Sequence, residues 1–281
     1  MESMKLSRLL ALIVVSTAIA AAQTASSINE IFNGEFAAQT ALASSATLSY
    51  TIAHFPYGGG LTTRVALANN GSTPATVDIT FFDHTGVATS VPLEGIGLKG
   101  TETMTVGPNQ TQVIGSELSQ RGAAAQTAWA TMTSTAPLNV FSLFDFGLKP
   151  PAINWAVGAQ STAASKSFRF PVSIGGPVNY DTGMALSNPN GTPTVVTVKV
   201  LKSDGTQLGS FTENLGKNAQ TVFLLSSQPG LNFGATPQTP FNGSIAVCAP
   251  QAVGLVALGA EGGSPTTLGL FSISVTTDPC P

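Results

Sequence analysis

From Thr47 onward, short runs rich in Val, Ile, Thr and Phe alternate with clusters of Gly, Pro and Asn. Turn clusters at intervals of roughly 8–14 residues predict short antiparallel strands joined by tight turns. Within 76–81, Val77, Ile79 and Phe81 point one way and Thr76, Asp78 and Thr80 the other, so one face of that strand is buried. The pattern predicts strands near 47–55, 61–69, 75–83, 86–92, 101–106, 110–115, 126–134, 137–146 and 152–159. It predicts a second set near 166–172, 180–188, 194–202, 206–213, 218–225, 243–249, 252–260 and 267–276. Asp204-Gly205 is a two-residue hairpin signal. Helical periodicity is absent from both sets.

The second set repeats the first. His54-Phe55-Pro56 is answered by Arg169-Phe170-Pro171, and Ala66-Leu67-Ala68-Asn69 by Ala185-Leu186-Ser187-Asn188. The turn ending in Pro74 recurs as Asn190-Gly191-Thr192-Pro193, and Val106-Gly107-Pro108-Asn109 as Leu215-Gly216-Lys217-Asn218. An offset of about 115–119 residues is domain-sized, not solenoid-sized. The expected organisation is all-β: two tandem antiparallel β-sandwich domains over 47–160 and 166–278, joined by the short linker Gln160–Ser165. The stretches Gly58–Thr63, Leu67–Asn70 and Phe81–Asp83, with Thr182–Asn190, Asp204-Gly205 and Phe241–Ser244, resemble tandem modules of exported proteins from environmental bacteria. That resemblance implies an immunoglobulin-like or fibronectin-like sandwich and carries over no functional residue.

The N-terminus reads differently. Lys5 and Arg8 precede an apolar run from Leu9 to Ala20, and Ala20-Ala21-Ala22 supplies a small-residue cleavage pattern. Residues 1–22 are expected to be a cleaved secretory signal peptide, the run being short for a bilayer span. Residues 23–46 form an Ala/Ser/Thr-rich leader. Ser27 with Glu30 fits a capping box, and Ile28, Ile31 and Phe32 share a helical face, while Gly34 opposes a helix. A short helix and a disordered leader both remain open.

Charge narrows the partners. Without Lys5, Arg8 and Glu2, 9 basic residues stand against 13 acidic ones, a net charge of −4. No basic patch is present to neutralise a run of phosphates, so nucleic acid is excluded as a partner. With charged residues at only 9% of the chain, the exposed faces must be built from Thr, Ser, Asn and Gln. Cys248 and Cys280 are the only cysteines, and in an exported chain they predict one disulfide that pins the C-terminal segment. Closing a loop of about 31 residues contributes roughly 3–4 kcal/mol on the chain-entropy model.

Candidate chemistry is sparse. His54 takes the place held by Arg169 in the other repeat, and His84 sits in a predicted turn beside Asp83, so neither is marked as a base. No Gly-x-Ser-x-Gly elbow occurs. Asp83, Asp181 and Asp204 read as turn formers in preference to metal ligands. No catalytic residue, cofactor or metal is expected. The aromatic residues Trp129, Trp155, Tyr57 and Tyr180 are candidates for a ligand platform, with Trp129 sharing a strand face with Thr127, Thr131 and Thr133. The expected role is an exported, non-catalytic structural or adhesive protein, secreted, at the cell surface or in the periplasm. Its partners would be proteins, surface polysaccharide or itself through edge strands, with membrane contact only during export. The alternative is a carbohydrate-binding accessory module using exposed Trp and Tyr.

Overall fold

The computed structural model describes residues 47–118, 124–147, 153–161, 163–262 and 269–280. The expected signal peptide and leader lie outside these residues. The strands are β1 (Leu48–Tyr57), β2 (Leu61–Asn69), β3 (Ala75–Asp83), β4 (Val91–Leu93), β5 (Gly97–Lys99), β6 (Thr101–Val106), β7 (Gln110–Gly115), β8 (Gln126–Ser134), β9 (Asn139–Gly147) and β10 (Ile153–Gln160). They continue as β11 (Ser165–Ile174), β12 (Asp181–Ser187), β13 (Thr194–Lys202), β14 (Gln207–Leu215), β15 (Gln220–Leu224), β16 (Phe241–Glu261) and β17 (Gly269–Ser272). The described residues hold no α-helix, only a 3-10 turn at Leu225–Ser227. All named strand pairs are antiparallel.

We call β1–β10 half 1 and β11–β17 half 2. Half 1 contains two four-stranded sheets, ordered β1-β8-β3-β6 and β10-β9-β2-β7. Half 2 repeats both orders with one long strand in place of two. The first part of β16 lies between β11 and β13, which pairs β14, and its second part lies between β17 and β12, which pairs β15. β16 therefore stands for β8 and β9 together, passing from one sheet to the other. The sequence pattern predicts two strands here, 243–249 and 252–260. They are one because the backbone stays extended through Pro250, a conformation the proline ring permits.

The alternation drives packing in both halves. Ile52, Phe55, Val77, Ile79, Phe81, Ala130 and Met132 from one sheet meet Val65, Leu67, Ile114 and Val140 from the other in a single apolar cluster. Phe168, Phe170, Val196, Val198 and Val247 meet Met184, Leu186, Leu255 and Ala257 in its counterpart. Fully burying one such side chain contributes on the order of 1.5–3 kcal/mol.

The repeat reaches down to single hydrogen bonds. Asn69 is fully buried, donates to the Thr73 and Val106 carbonyls at 2.8 and 3.0 Å, and accepts from Gly71 N at 2.9 Å. Asn188, also fully buried, donates to the Thr192 and Gly216 carbonyls at 2.9 and 2.8 Å and accepts from Asn190 N at 3.0 Å. Each Asn closes its turn from inside, bonding carbonyls of the two chain segments it joins. Asn109 and Asn218 hold φ values of 53° and 51° in matching turns, where Gln110 N and Ala219 N each donate back across the turn at 3.2 Å.

One expected strand, 86–92, is not formed. The Asp83 carboxylate accepts from Thr85 N at 2.8 Å and Val87 N at 3.0 Å, winding 83–87 into a turn. Beyond the turn, residues 87–89 return along the end of β3, Asp83 N donating to the Val87 carbonyl at 2.9 Å and Thr89 N to the Phe81 carbonyl at 3.0 Å, and Val91–Leu93 pairs with β5.

Candidate functional site

Residues Leu42–Pro281 form one compact unit, and its most elaborated region is the seam between the two halves. In half 1, β1 and β10 are the outer strands of their sheets, so the gap between them leaves one side of the core open. The outer face of the β12–β16 sheet closes it. Ala185 and Val256 pack there with Ala53, Phe144, Val157 and Ala159. Gly254 permits the approach: a Cβ at this position would stand 2.5 Å from both Thr51 Oγ1 and Ser187 Oγ.

Polar contacts fasten the same seam. Gln220 Nε2 donates to the Ala53 carbonyl at 2.5 Å, and Gln220 N to the His84 carbonyl at 3.0 Å. Trp129 Nε1 donates to the Asn218 carbonyl at 3.0 Å. Gly86, at φ 92°, lies directly against the backbone of Lys217 and Asn218, where a side chain has no room.

Trp129 corrects an expectation. It lies on the threonine-bearing face of β8, as the alternation predicts, yet it is fully buried. The turn at 216–219 from half 2 covers it, and Phe82 stacks on it at 5.0 Å. A sealed indole presents no ring to a ligand. The other three candidates fall on separate neighbours. Tyr57 is half-buried against the half 1 core, which pushes its phenol pKa up, with the nearby Asp83 charge adding to the shift. Tyr180 meets Phe271 edge-to-face at 6.1 Å. Trp155 is on β10 opposite Phe146, and its side chain lies outside the described residues. Cys248 and Cys280 form the disulfide, with Cα atoms 5.8 Å apart.

Beside the seam lies an apolar cavity of about 330 Å³ lined by His54, Gly183, Ala185, Val222, Leu224, Val256, Leu258 and Leu270, among others. His54 is its single ionisable group. Burial pushes the imidazole pKa down to about 4, so it is neutral at physiological pH. Gln220 Nε2 can only donate, at 3.4 Å from His54 Nδ1, which makes Nδ1 the acceptor and places the proton on Nε2. Thr127 Oγ1 also approaches Nδ1, at 3.3 Å. So weak a base is poorly suited to taking a proton from a hydroxyl at neutral pH. What the cavity offers chemically is an uncharged apolar wall with one neutral donor.

Three further acids serve local structure. Asp204 accepts from Thr206 N and Oγ1 at 2.9 and 2.6 Å, the counterpart of Asp83 with Thr85. Asp181 accepts from the Ser226 hydroxyl. Asp145 is buried on β9, which raises its carboxyl pKa against the opposing pull of Arg64, whose guanidinium is 2.5 Å away. Among the described residues no three His, Cys, Asp or Glu side chains gather closely enough to hold a metal. Gln220, Gly86 and Gly254 carry no local sequence signal, because their importance arises only where the halves meet.

Fold and seam together define a protein of antiparallel sheets built on a duplicated strand order. No protein-family model matches the chain, and no curated protein matches it. Among solved structures it is similar to Thermotoga maritima 1070, at 11% identity and a TM-score of 0.29, over 41% of this chain and 94% of that one. It is also similar to the Arthrobacter globiformis T6 isomalto-dextranase complexed with panose, at 13% identity and a TM-score of 0.25, over 70% of this chain and 34% of that one. The chain thus spans about a third of the length of that enzyme. The CupB2 chaperone of Pseudomonas aeruginosa gives 9% identity and a TM-score of 0.19, over 85% and 99% of the two chains. At such scores these likenesses carry no argument about fold or function.

Proposed function

We propose that this chain is an exported, non-catalytic structural or adhesive protein at or outside the cell surface. Each half is an immunoglobulin-like antiparallel β-sandwich domain, the two set in tandem. The observation that carries this reading is the duplicated strand order, locked across a seam of buried apolar and hydrogen-bonded contacts. A short, stiff pair of modules suits a load-bearing or presenting role. The disulfide fits an oxidising compartment. No helix among the described residues is long and apolar enough to cross a membrane. The outer strands β6, β7, β14 and β15 and the turns between strands offer edges and loops to proteins or surface polysaccharide.

Two measurements test this. N-terminal sequencing of the protein recovered outside the cytoplasm is expected to begin at Gln23. Solid-phase binding of the whole chain to cell-surface fractions is expected to saturate and to change little with salt, since charged residues are only 9% of the chain. Retention in the cytoplasm with an intact leader overturns the export reading. Failure to bind any surface fraction above an albumin control overturns the adhesive one.

A further inference from the structure

The cavity beside the seam exists because the two halves differ there. On the outer sheet face of half 1, Arg64 and Asp145 form an ion pair across β2 and β9. The strand register sets Gly183 and Ala260 at the corresponding places on β12 and β16. Both line the cavity, so a charged pair in one half is a hollow in the other. Gly183 lacks the positive φ that would demand glycine, and a Cβ built there meets nothing closer than 3.7 Å. The position has room for a side chain and carries none. β1 departs from its counterpart as well. On β11 one residue, Arg169, separates the inward Phe168 and Phe170. On β1 two residues, Ala53 and His54, separate the inward Ile52 and Phe55, and the pairing with β8 slips at that point. This bulge turns Ala53 and His54 alike towards the seam, His54 into the cavity wall. Val222 and Leu224, each 47% exposed, stand at the cavity rim on the outer strand β15.

We propose that this cavity is a binding site for a small neutral molecule, mostly hydrocarbon, that carries one hydrogen-bond acceptor. An apolar cavity of about 150 Å³ holds benzene, so one of about 330 Å³ holds roughly ten to fourteen non-hydrogen atoms. Its largely aliphatic wall gives water too few polar partners, which favours an apolar occupant. A carboxylate or an ammonium group would lose its hydration there without meeting an opposite charge. A sugar or a peptide would leave most of its polar groups unpaired. His54 sets the acceptor. Gln220 and Thr127 both meet Nδ1, and among the described residues nothing accepts from Nε2–H. That donor is left for a carbonyl or ester oxygen of the occupant. Apolar walls with one placed polar group are the usual build of a small-molecule site.

Titration of the whole chain at neutral pH with methyl octanoate, butylbenzene and octanoate tests the site, read from the methyl resonances of Val222, Leu258 and Leu270. Methyl octanoate and butylbenzene are expected to shift these resonances saturably. Octanoate is expected to bind about tenfold more weakly than the ester, or not at all, because its charge would be buried unpaired. His54→Phe is expected to weaken methyl octanoate by about three- to tenfold, the worth of one hydrogen bond, and to leave butylbenzene within about twofold. Gly183→Leu, which restores a side chain where half 1 has Arg64, is expected to abolish binding of both neutral probes. Absence of a saturable shift with either neutral probe overturns the proposal, as does octanoate binding as tightly as the ester. Undiminished binding in a folded Gly183→Leu chain overturns it too. If Gly183→Leu fails to fold, Ala260→Leu fills the same hollow and takes its place, with the same two outcomes. His54→Phe that leaves methyl octanoate unchanged, or weakens both neutral probes equally, overturns the part assigned to the imidazole.

Discussion

Replacing Trp129 with Phe asks whether the seam contributes to stability as its geometry implies. Phenylalanine keeps a ring to stack on Phe82 and a fit to the strand, but it removes Nε1–H and the outer ring of the indole. The Asn218 carbonyl then loses its donor at 3.0 Å. A buried acceptor left without a partner costs about 1–3 kcal/mol. Trp129 is fully buried, so the lost apolar contact adds about 1 kcal/mol. The sum, about 2–4 kcal/mol, corresponds to a fall in Tm of about 5–15 °C for a body of this size. Urea unfolding followed by far-ultraviolet circular dichroism measures it, the wild type giving one transition with both halves unfolding together. A loss below about 0.5 kcal/mol refutes the reasoning, because an effect that small is typical of a surface site. Two separated transitions in the wild type also refute it, since a sealed seam couples the halves.

Three further outcomes follow from the same contacts. Gly254→Ala is expected to cost about 1–3 kcal/mol in urea unfolding, because its Cβ would meet Thr51 Oγ1 and Ser187 Oγ at 2.5 Å; pairing it with Ser187→Gly should recover part of the loss. Thr51→Val is expected to be neutral or stabilising by up to about 1 kcal/mol, since the buried Thr51 hydroxyl has no hydrogen-bond partner to lose, and a clear loss would show otherwise. His54, held neutral with a pKa of about 4, makes stability fall as pH drops from its ordinary 6.5 towards 4, because the unfolded chain takes up the proton first. The full shift amounts to about 3 kcal/mol, reduced by the partial exposure of the ring. Thermal melts of His54→Phe are expected to be flatter than wild type over that window, and parallel curves would show that other groups carry the dependence.

Most strands were legible because their alternation is strict and their turns carry Asn, Gly and Pro. The run at 75–83 is a case in point: Val77, Ile79 and Phe81 face inward as the period of two requires. The repeat was legible for the same reason, and the buried pair Asn69 and Asn188 shows that its matches are structural. The failures have physical causes. Asp83 outbid a strand with its own carboxylate, and Pro250 sat inside a strand where a break was expected. Trp129 looked exposed because its neighbours on the strand face are threonines. Its cover comes from a turn 89 residues away, and no pattern local to β8 reports that.

The seam nevertheless left a trace in the sequence, in the positions where the repeats disagree. Two copies of one strand order share an interior, so their inward residues stay alike, as Leu67 and Leu186 do. Their surroundings differ, because half 1 is covered at its open side and half 2 does the covering. Arg64 on β2 corresponds to Gly183 on β12, and Trp129 on β8 to Ser244 on β16. In each pair one member sits at or beside the seam while the other does not. A charge stands on the outer sheet face of half 1 where half 2 needs a bare apolar surface, and an indole stands where half 1 receives a turn. His54 and Arg169 follow the same logic: a cation suits an edge at the surface, while the seam requires a group that can stay neutral. Divergence between internal repeats therefore marks the contact surface, whereas their agreement marks the core.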